Sequence, residues 1–259
     1  MEAPAYSTLL TEREGSILRI TLNRPERKNA LNPRMVNELI WALDEAKADR
    51  SVRVIVITGA KGVFCAGADL RNDPVEGEAL PPKGDFADLL LRFPSLGKPT
   101  IARIHGPALG GGLGLVASCD FAIASETSTF GTPEIQRGLF PMMIMAVLRR
   151  VVSKRRLMEL MLTGTTISAK EAAQIDLINR AVPEDELDKE VDSLAHQLAE
   201  QSPTAMRMGL EAWHFQADRD LETSLPELRK RFLALLGTED AQEGIRAFLE
   251  KRKPIWKGD

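Results

Sequence analysis

Cysteine and histidine are scarce in this chain, and their scarcity removes several kinds of chemistry at once. Two cysteines, Cys65 and Cys119, lie far apart, and three histidines, His105, His196 and His214, are scattered along 259 residues. Neither the paired spacings of a zinc site nor the dense bridges of a disulfide scaffold can be drawn through them, so no metal is expected. Long apolar runs are lacking too. The most apolar stretch, LFPMMIMAVL, is too short to cross a bilayer, and the opening MEAPAYSTLLTE has neither the basic start nor the apolar centre of a secretory leader. Neither export nor a membrane partner is expected, which leaves a cytoplasmic location. An excess of positive charge is also missing: 34 basic against 37 acidic side chains give a formal charge of −3, which sets up no field for polyanions. The one basic run, Lys154 to Arg156, fits a solvated helix start better than a phosphate contact, and nucleic acid is not an expected partner.

What remains is a chain able to bury a sizeable core as one large domain or a domain with a small appendage. SILRITLN (Ser16 to Asn23) alternates polar and apolar residues and VRVIVITG (Val52 to Gly59) is β-branched, so both read as strands. Between them Asn32 and Pro33 form a helix start, after which Met35, Val36, Leu39, Ile40 and Leu43 recur at helical spacing. A strand, helix and strand in this order suggest a parallel sheet. KPTIARIHG (Lys98 to Gly106) and DFAIAS (Asp120 to Ser125) are further strands, and Asn72 to Asp85, rich in proline, glycine and acids, reads as a long surface loop of the kind often used as a lid. From about Ser153 onward the pattern predicts helices almost without interruption.

The segment GPALGGGLGLVASCD (Gly106 to Asp120) holds five glycines within nine residues. It fits neither a dinucleotide fingerprint nor a phosphate-binding loop, since no glycine spacing of the first kind and no lysine of the second is present. Adjacent glycines that end a strand and open an apolar helix would leave N–H groups free at the positive end of a helix dipole, where a developing oxyanion is stabilised. They would equally let two backbones touch. Spacing alone leaves both readings open.

A second small-residue turn, VFCAGADL (Val63 to Leu70), follows the strand VIVITG. With it the chain resembles the crotonase superfamily, the enoyl-CoA hydratase/isomerase family. NRPERKNAL (Asn23 to Leu31), VITGAKGVFCAGADL (Val56 to Leu70), KPTIARIHGPALGGGLGLVASCDFAIAS (Lys98 to Ser125), FGTPEIQRGLFP (Phe130 to Pro141), MELMLTGTTISAKEA (Met158 to Ala172) and TEDAQEGIRAFLEKRKPIW (Thr238 to Trp256) match in family order along essentially the whole chain. The resemblance implies an α/β fold: a ββα spiral that binds acyl-CoA and carries the chemistry over residues 1–195, then a helical trimerisation region over 196–259. It implies an acyl thioester of coenzyme A as the partner, no cofactor besides the coenzyme A carried by that substrate, and a homotrimer or a dimer of trimers.

The same resemblance assigns residues. The N–H groups of Ala68 and Gly111 would hold the thioester oxygen, and Glu134 would be the acid and base. Coenzyme A would be met by Ala30 and Ala66 and by the backbone of Asp69 and Leu70. Lys28 and Arg71 would meet its phosphates, and Lys251 would lie near the nucleotide. A hydratase of this family has a second glutamate two residues after the third consecutive glycine, and here that position is Gly114. One carboxylate suffices to take a proton from C2 of a 3-enoyl thioester and return it at C4, so an isomerase-like site is expected. Two alternatives stay open: hydration with a substitute acid, for which Asp73, Glu76, Glu78, Asp85 and Asp88 are candidates, or binding of acyl-CoA without chemistry. Dehalogenation and dienoyl isomerisation are not expected, because the aspartate they use eight positions beyond Glu134 is Met142 here. Met142, Met143 and Met145 either reshape the acyl pocket or fill helix core. Asp176 stands where the family has a glycine after a helix, in a left-handed position that aspartate tolerates better than most residues.

Overall fold

Asn32 and Pro33 start the first helix as their chemistry requires. The Met35 N–H donates to the Asn32 side chain at 2.8 Å, and Pro33, with no N–H to satisfy, takes the first position of α1 (Pro33–Ala48). This is a computed structural model, which describes residues 5–71 and 79–259. α1 carries an unusual passenger in Glu38, only 1% exposed, whose carboxylate accepts hydrogen bonds from the N–H and hydroxyl groups of both Ser7 and Thr8 at 2.6–3.1 Å.

The large sheet has six strands in the order β1 (Leu9–Glu14), β2 (Ile17–Leu22), β3 (Val54–Gly59), β4 (Thr100–Ile104), β6 (Phe121–Ser125) and β9 (Arg180–Val182). β1 pairs antiparallel with β2 around Gly15, and every later pair is parallel. Period-two alternation sorts their side chains onto two cores. Ile55, Ile57, Ala102 and Ile104 face α1 and the main core, while Val54, Val56, Ile101 and Ile123 face Leu187, Val191 and Ala195 of α7 (Leu187–Ala199). Burial on both faces is why the β3 sequence is continuously apolar.

A second sheet of three short strands, β5 (Ala108–Leu109), β7 (Thr129–Gly131) and β8 (Thr166–Ser168), lies beside the first. Single bridges from Cys65 to Ala108 and from Leu31 to Ala68 extend it toward the N-terminal half. Consecutive strands thus supply the large sheet and then the small one, β4 then β5 and β6 then β7, and the chain advances as a spiral. The connecting helices are α2 (Phe86–Arg92), α3 (Gly111–Ser118), α4 (Ile144–Leu148), α5 (Lys154–Thr163) and α6 (Ala169–Gln174).

Several expectations need correction. The region after Ser153 is not purely helical: β8 and β9, three residues each, complete both sheets, and strands so short carry no periodicity of their own. β1 is an edge strand in which only Leu9 is buried, so its sequence shows no alternation. The expected division at 195/196 falls inside α7, which packs on the large sheet throughout. α8 (Pro203–Gln216), α9 (Leu221–Leu236) and α10 (Glu239–Leu249) follow it. Lys154, Arg155 and Arg156 form the exposed first turn of α5, and Asp176 has φ 62° just after α6, both as expected. Among the described residues no helix is long and apolar enough to cross a membrane.

Candidate active site

The cleft is framed by two loops held together by buried polar side chains. Lys28 and Asn29 both take left-handed backbone, with φ 52° and 54°. Asn29 is fully buried: its side chain accepts from the Arg24 N–H at 3.0 Å and donates to the carbonyls of Ala60 and Val63 at 2.9 and 2.7 Å. Arg24 donates to the Ala30 carbonyl at 2.7 Å and to the Asp69 carboxylate at 2.9 Å, in an ion pair whose side chains are 7% and 5% exposed. Desolvation opposes ionisation of Asp69, but the hydrogen bonds from Arg24 and from the Arg71 amide, with the nearby positive charge, hold its carboxyl below the ordinary value. Breaking so buried a pair by removing one partner costs about 3–5 kcal/mol. Asp69 therefore ties the loop down with its side chain.

This frame dictates which amides are free. The Ala66 N–H donates to the Lys28 carbonyl, the Leu31 N–H to Gly67, and the Asp69 N–H to Leu31 at 2.8–3.0 Å. Because alternate residues of an extended chain point their amides to opposite sides, the Ala68 N–H is turned away from Leu31 and toward α3. There the Gly110 N–H is consumed by the Gly131 carbonyl at 2.9 Å, and Gly111 opens the helix with no carbonyl one turn behind it. Neither the Ala68 nor the Gly111 N–H donates to another group among the described residues. The two backbones are close: the Ala68 nitrogen lies 3.8 Å from where a Gly111 side chain would begin.

The glycines divide between the two readings that spacing left open. Gly110 has φ 50°, and a Cβ there would fall 2.8 Å from a carboxylate oxygen of Glu134. Gly112 is a packing glycine, whose Cβ would meet the Cys65 carbonyl at 2.5 Å. Gly114 is a packing glycine as well: its Cβ would fall 2.3 Å from Cγ2 of Ile144, nearer than Cβ atoms approach anything. The space that a side chain at position 114 would enter is occupied by Ile144.

Glu134 stands in the short 3-10 helix Pro133–Arg137 that follows β7. Its Oε2 is buried with no hydrogen-bond partner among the described residues, and so is the hydroxyl of Thr132 two residues before it. Desolvation raises the carboxyl above its ordinary value, against the opposing effects of a backbone hydrogen bond and of the Arg137 charge. A half-buried acid with one oxygen unclaimed, close to two free amides, can take up or give a proton. Burial pushes the neighbouring Cys65 thiol up to about 12, so it stays protonated.

The resulting cleft of about 640 Å³ is lined by Lys28, Ala30, Ala66, Ala68, Asp69, Leu70, Arg71, Gly110 and Glu134, joined by Arg27 and Arg137. Gly111 stands just behind this lining, the side its Cβ would take being covered by Leu31 and Phe86. Lys251, after α10, is not part of the lining. Asp85 and Asp88 cap the start of α2 for one another, while Asp73, Glu76 and Glu78 lie outside the described residues. Met142, Met143 and Met145 are neither core nor cleft, being 62%, 50% and 36% exposed. The residue of that run that reaches inward is Ile144, 3% exposed. Sequence reasoning also passed over Arg24, Asn29 and Phe86. The sole local signal was Asn29, since asparagine suits left-handed backbone.

The family model for enoyl-CoA hydratase/isomerase matches residues 12–259. A probable enoyl-CoA hydratase of Rhizobium meliloti (strain 1021) is 41% identical over 258 residues, which span 98% of this chain and 99% of that protein. The 2,3-dehydroadipyl-CoA hydratase of Escherichia coli (strain K12) is 37% identical over 259 residues, 97% of this chain and 99% of its own length. Among solved structures, an enoyl-CoA hydratase of Mycobacterium smegmatis shares the fold with a TM-score of 0.89 at 33% identity, over 96% of this chain and 98% of its own. Sequence, fold and cleft agree along nearly the whole length, and the chain belongs to the enoyl-CoA hydratase/isomerase family of crotonase-fold enzymes.

Proposed function

We propose that this enzyme moves a double bond in an enoyl-CoA thioester, with Glu134 as the single acid and base. Glu134 takes a proton from C2 of a 3-enoyl thioester, and the electron pair moves onto the carbonyl oxygen. The N–H groups of Ala68 and Gly111 stabilise that oxygen, each such donor being worth about 2.7–4 kcal/mol. The same carboxyl returns the proton at C4, the double bond settles between C2 and C3, and the carbonyl reforms. The thioester itself acidifies C2, so the reaction balances without oxidant, reductant or metal. Lys28 and Arg71, both exposed at the cleft, meet the phosphates of coenzyme A, and Ala30, Ala66 and the backbone of Asp69 and Leu70 line its path.

The observation that carries this reading is the pairing of one unclaimed carboxylate oxygen on Glu134 with a Gly114 position closed by Ile144. The hydratase names of the relatives favour a second reading, water addition to a 2-enoyl thioester with a substitute acid. Incubating short 2-enoyl- and 3-enoyl-CoA substrates in deuterated water separates them. Double-bond migration without hydroxyacyl product, whether or not label enters at C2 or C4, supports migration, whereas rapid gain of water by the 2-enoyl thioester replaces it with hydration. A binding-only protein would leave both substrates unlabelled and unconverted.

Assembly into homotrimers is part of the same proposal. The C-terminal helices leave Phe232 and Leu233 of α9 and Phe248 and Leu249 of α10 57–82% exposed, more apolar surface than a solitary subunit gains from showing. Light scattering that returned a monomer mass would remove it.

A further inference from the structure

Three apolar side chains from three separate elements converge on the first turn of α3, the turn that presents the Gly111 amide. Leu31 brings Cδ1 to 3.1 Å from the place of a Gly111 side chain. Phe86, the first residue of α2, lays its ring tip across the turn, 3.5 Å from that same place and 3.6 Å from the corresponding place at Gly114. Ile144 closes the end, with Cγ2 at 2.3 Å and Cβ at 3.0 Å from the Gly114 position. Ile144 is branched at Cβ, so it has few rotamers with which to swing away, and Ile144 and Leu148 are the buried pair, one turn apart, that hold α4 against the core.

None of these three side chains can donate or accept a hydrogen bond. A water molecule held in a protein interior needs two to four polar partners, and an unpartnered polar group there costs free energy. We propose that Ile144 and Phe86 are the specificity-determining residues that decide what an enolate formed in this site reacts with, by filling the volume a hydrating water and its carboxylate would need. This rests on the enolate reading above and adds to it a cause. The outcome is set by an isoleucine on α4 and a phenylalanine on α2 as much as by the absence of a side chain at position 114. Restoring an acid at 114 alone would then fail, because its Cβ has no place to go while Ile144 stands.

The test is a set of variants read in two ways. Gly114→Ala should lower the melting temperature in the wild-type chain and cost far less when made in an Ile144→Ala background, which has already lost its own share of core packing. An equal loss in both backgrounds overturns the packing on which the inference stands, whether or not bulkier variants fold. Gly114→Glu with Ile144→Ala should raise water addition to a 2-enoyl-CoA, relative to double-bond migration, by on the order of 10²-fold, while each single change moves that ratio far less. The inference is overturned if Gly114→Glu alone hydrates as well as the pair. It is equally overturned if the folded double variant exchanges deuterium at C2 yet gains no water. Wild-type protein that exchanges C2 and also adds water as fast as it moves the double bond overturns this inference and the migration reading while leaving the enolate intact. Wild-type protein that neither exchanges deuterium nor moves the double bond overturns the enolate reading, and this one falls with it.

Discussion

Glu38 and Glu134 are both drawn out of water, and their surroundings treat them in opposite ways. Glu38 on α1 is all but sealed, yet both of its carboxylate oxygens accept hydrogen bonds, from the N–H and hydroxyl groups of Ser7 and Thr8. Glu134 is only half-buried, and its Oε2 has no partner at all among the described residues. A carboxylate saturated with donors has no lone pair left for a substrate proton and serves to fasten the chain that precedes β1 to the helix beneath it. One that is desolvated and unsaturated keeps an oxygen open at some expense of stability. Burial alone does not mark a functional acid; burial without satisfaction does.

The sharpest way to break this contrast is Glu134→Gln. The change keeps the shape of the side chain and removes its basicity, and loss of a positioned acid and base typically lowers turnover by about 10²–10⁴-fold. Steady-state turnover of 3-enoyl-CoA, with acyl-CoA affinity measured alongside, reads it. The fall should appear in kcat with binding nearly unchanged, and unaltered turnover would remove Glu134 from the mechanism. Glu38→Gln should do the reverse. It puts an amide N–H against donors that need an acceptor, and each buried donor left unsatisfied costs about 1–3 kcal/mol. Urea unfolding should show that loss while the folded variant keeps wild-type kcat, and a variant with wild-type stability and impaired turnover would dissolve the distinction between the two glutamates.

The elements that state their own start and period were legible in the sequence. Asn32 and Pro33 announced α1, the β-branched run announced β3, and of three motif positions Glu134 and Ala68 line one cleft, with Gly111 just behind its lining. What stayed hidden depends on contact across the fold. β5, β7, β8 and β9 have two or three residues each and exist because neighbouring strands offer hydrogen bonds, so no local pattern encodes them. In the run MMIMA the methionines drew attention for their bulk, but helical phase turned Ile144 inward and left Met142 and Met143 outside. Gly114 shows nothing in the residue itself of what surrounds it. Only the fold reveals that a Cβ there would fall 2.3 Å from Cγ2 of Ile144.

The smallest effect, and the finest test of how the two kinds of carboxylate differ, is the dependence of stability on pH. Because burial raises Glu134, the folded state holds that proton more tightly than the unfolded chain does. The stabilisation it supplies is complete at pH below the unfolded carboxyl range and is lost as pH rises from that range through the folded value. Asp69, held below its ordinary value by Arg24, has the opposite sign: its contribution is present above the unfolded range and disappears as pH falls through the lower folded value. The two slopes therefore oppose one another in adjoining windows of a single cleft. Urea unfolding of wild type and Glu134→Gln across roughly pH 4 to 8 isolates the first. The variant should gain stability relative to wild type as pH rises and show no difference at the acid end, where Glu134 is already neutral. A difference independent of pH would mean that the glutamine acts through packing, and that the unclaimed oxygen of Glu134 costs the folded protein nothing.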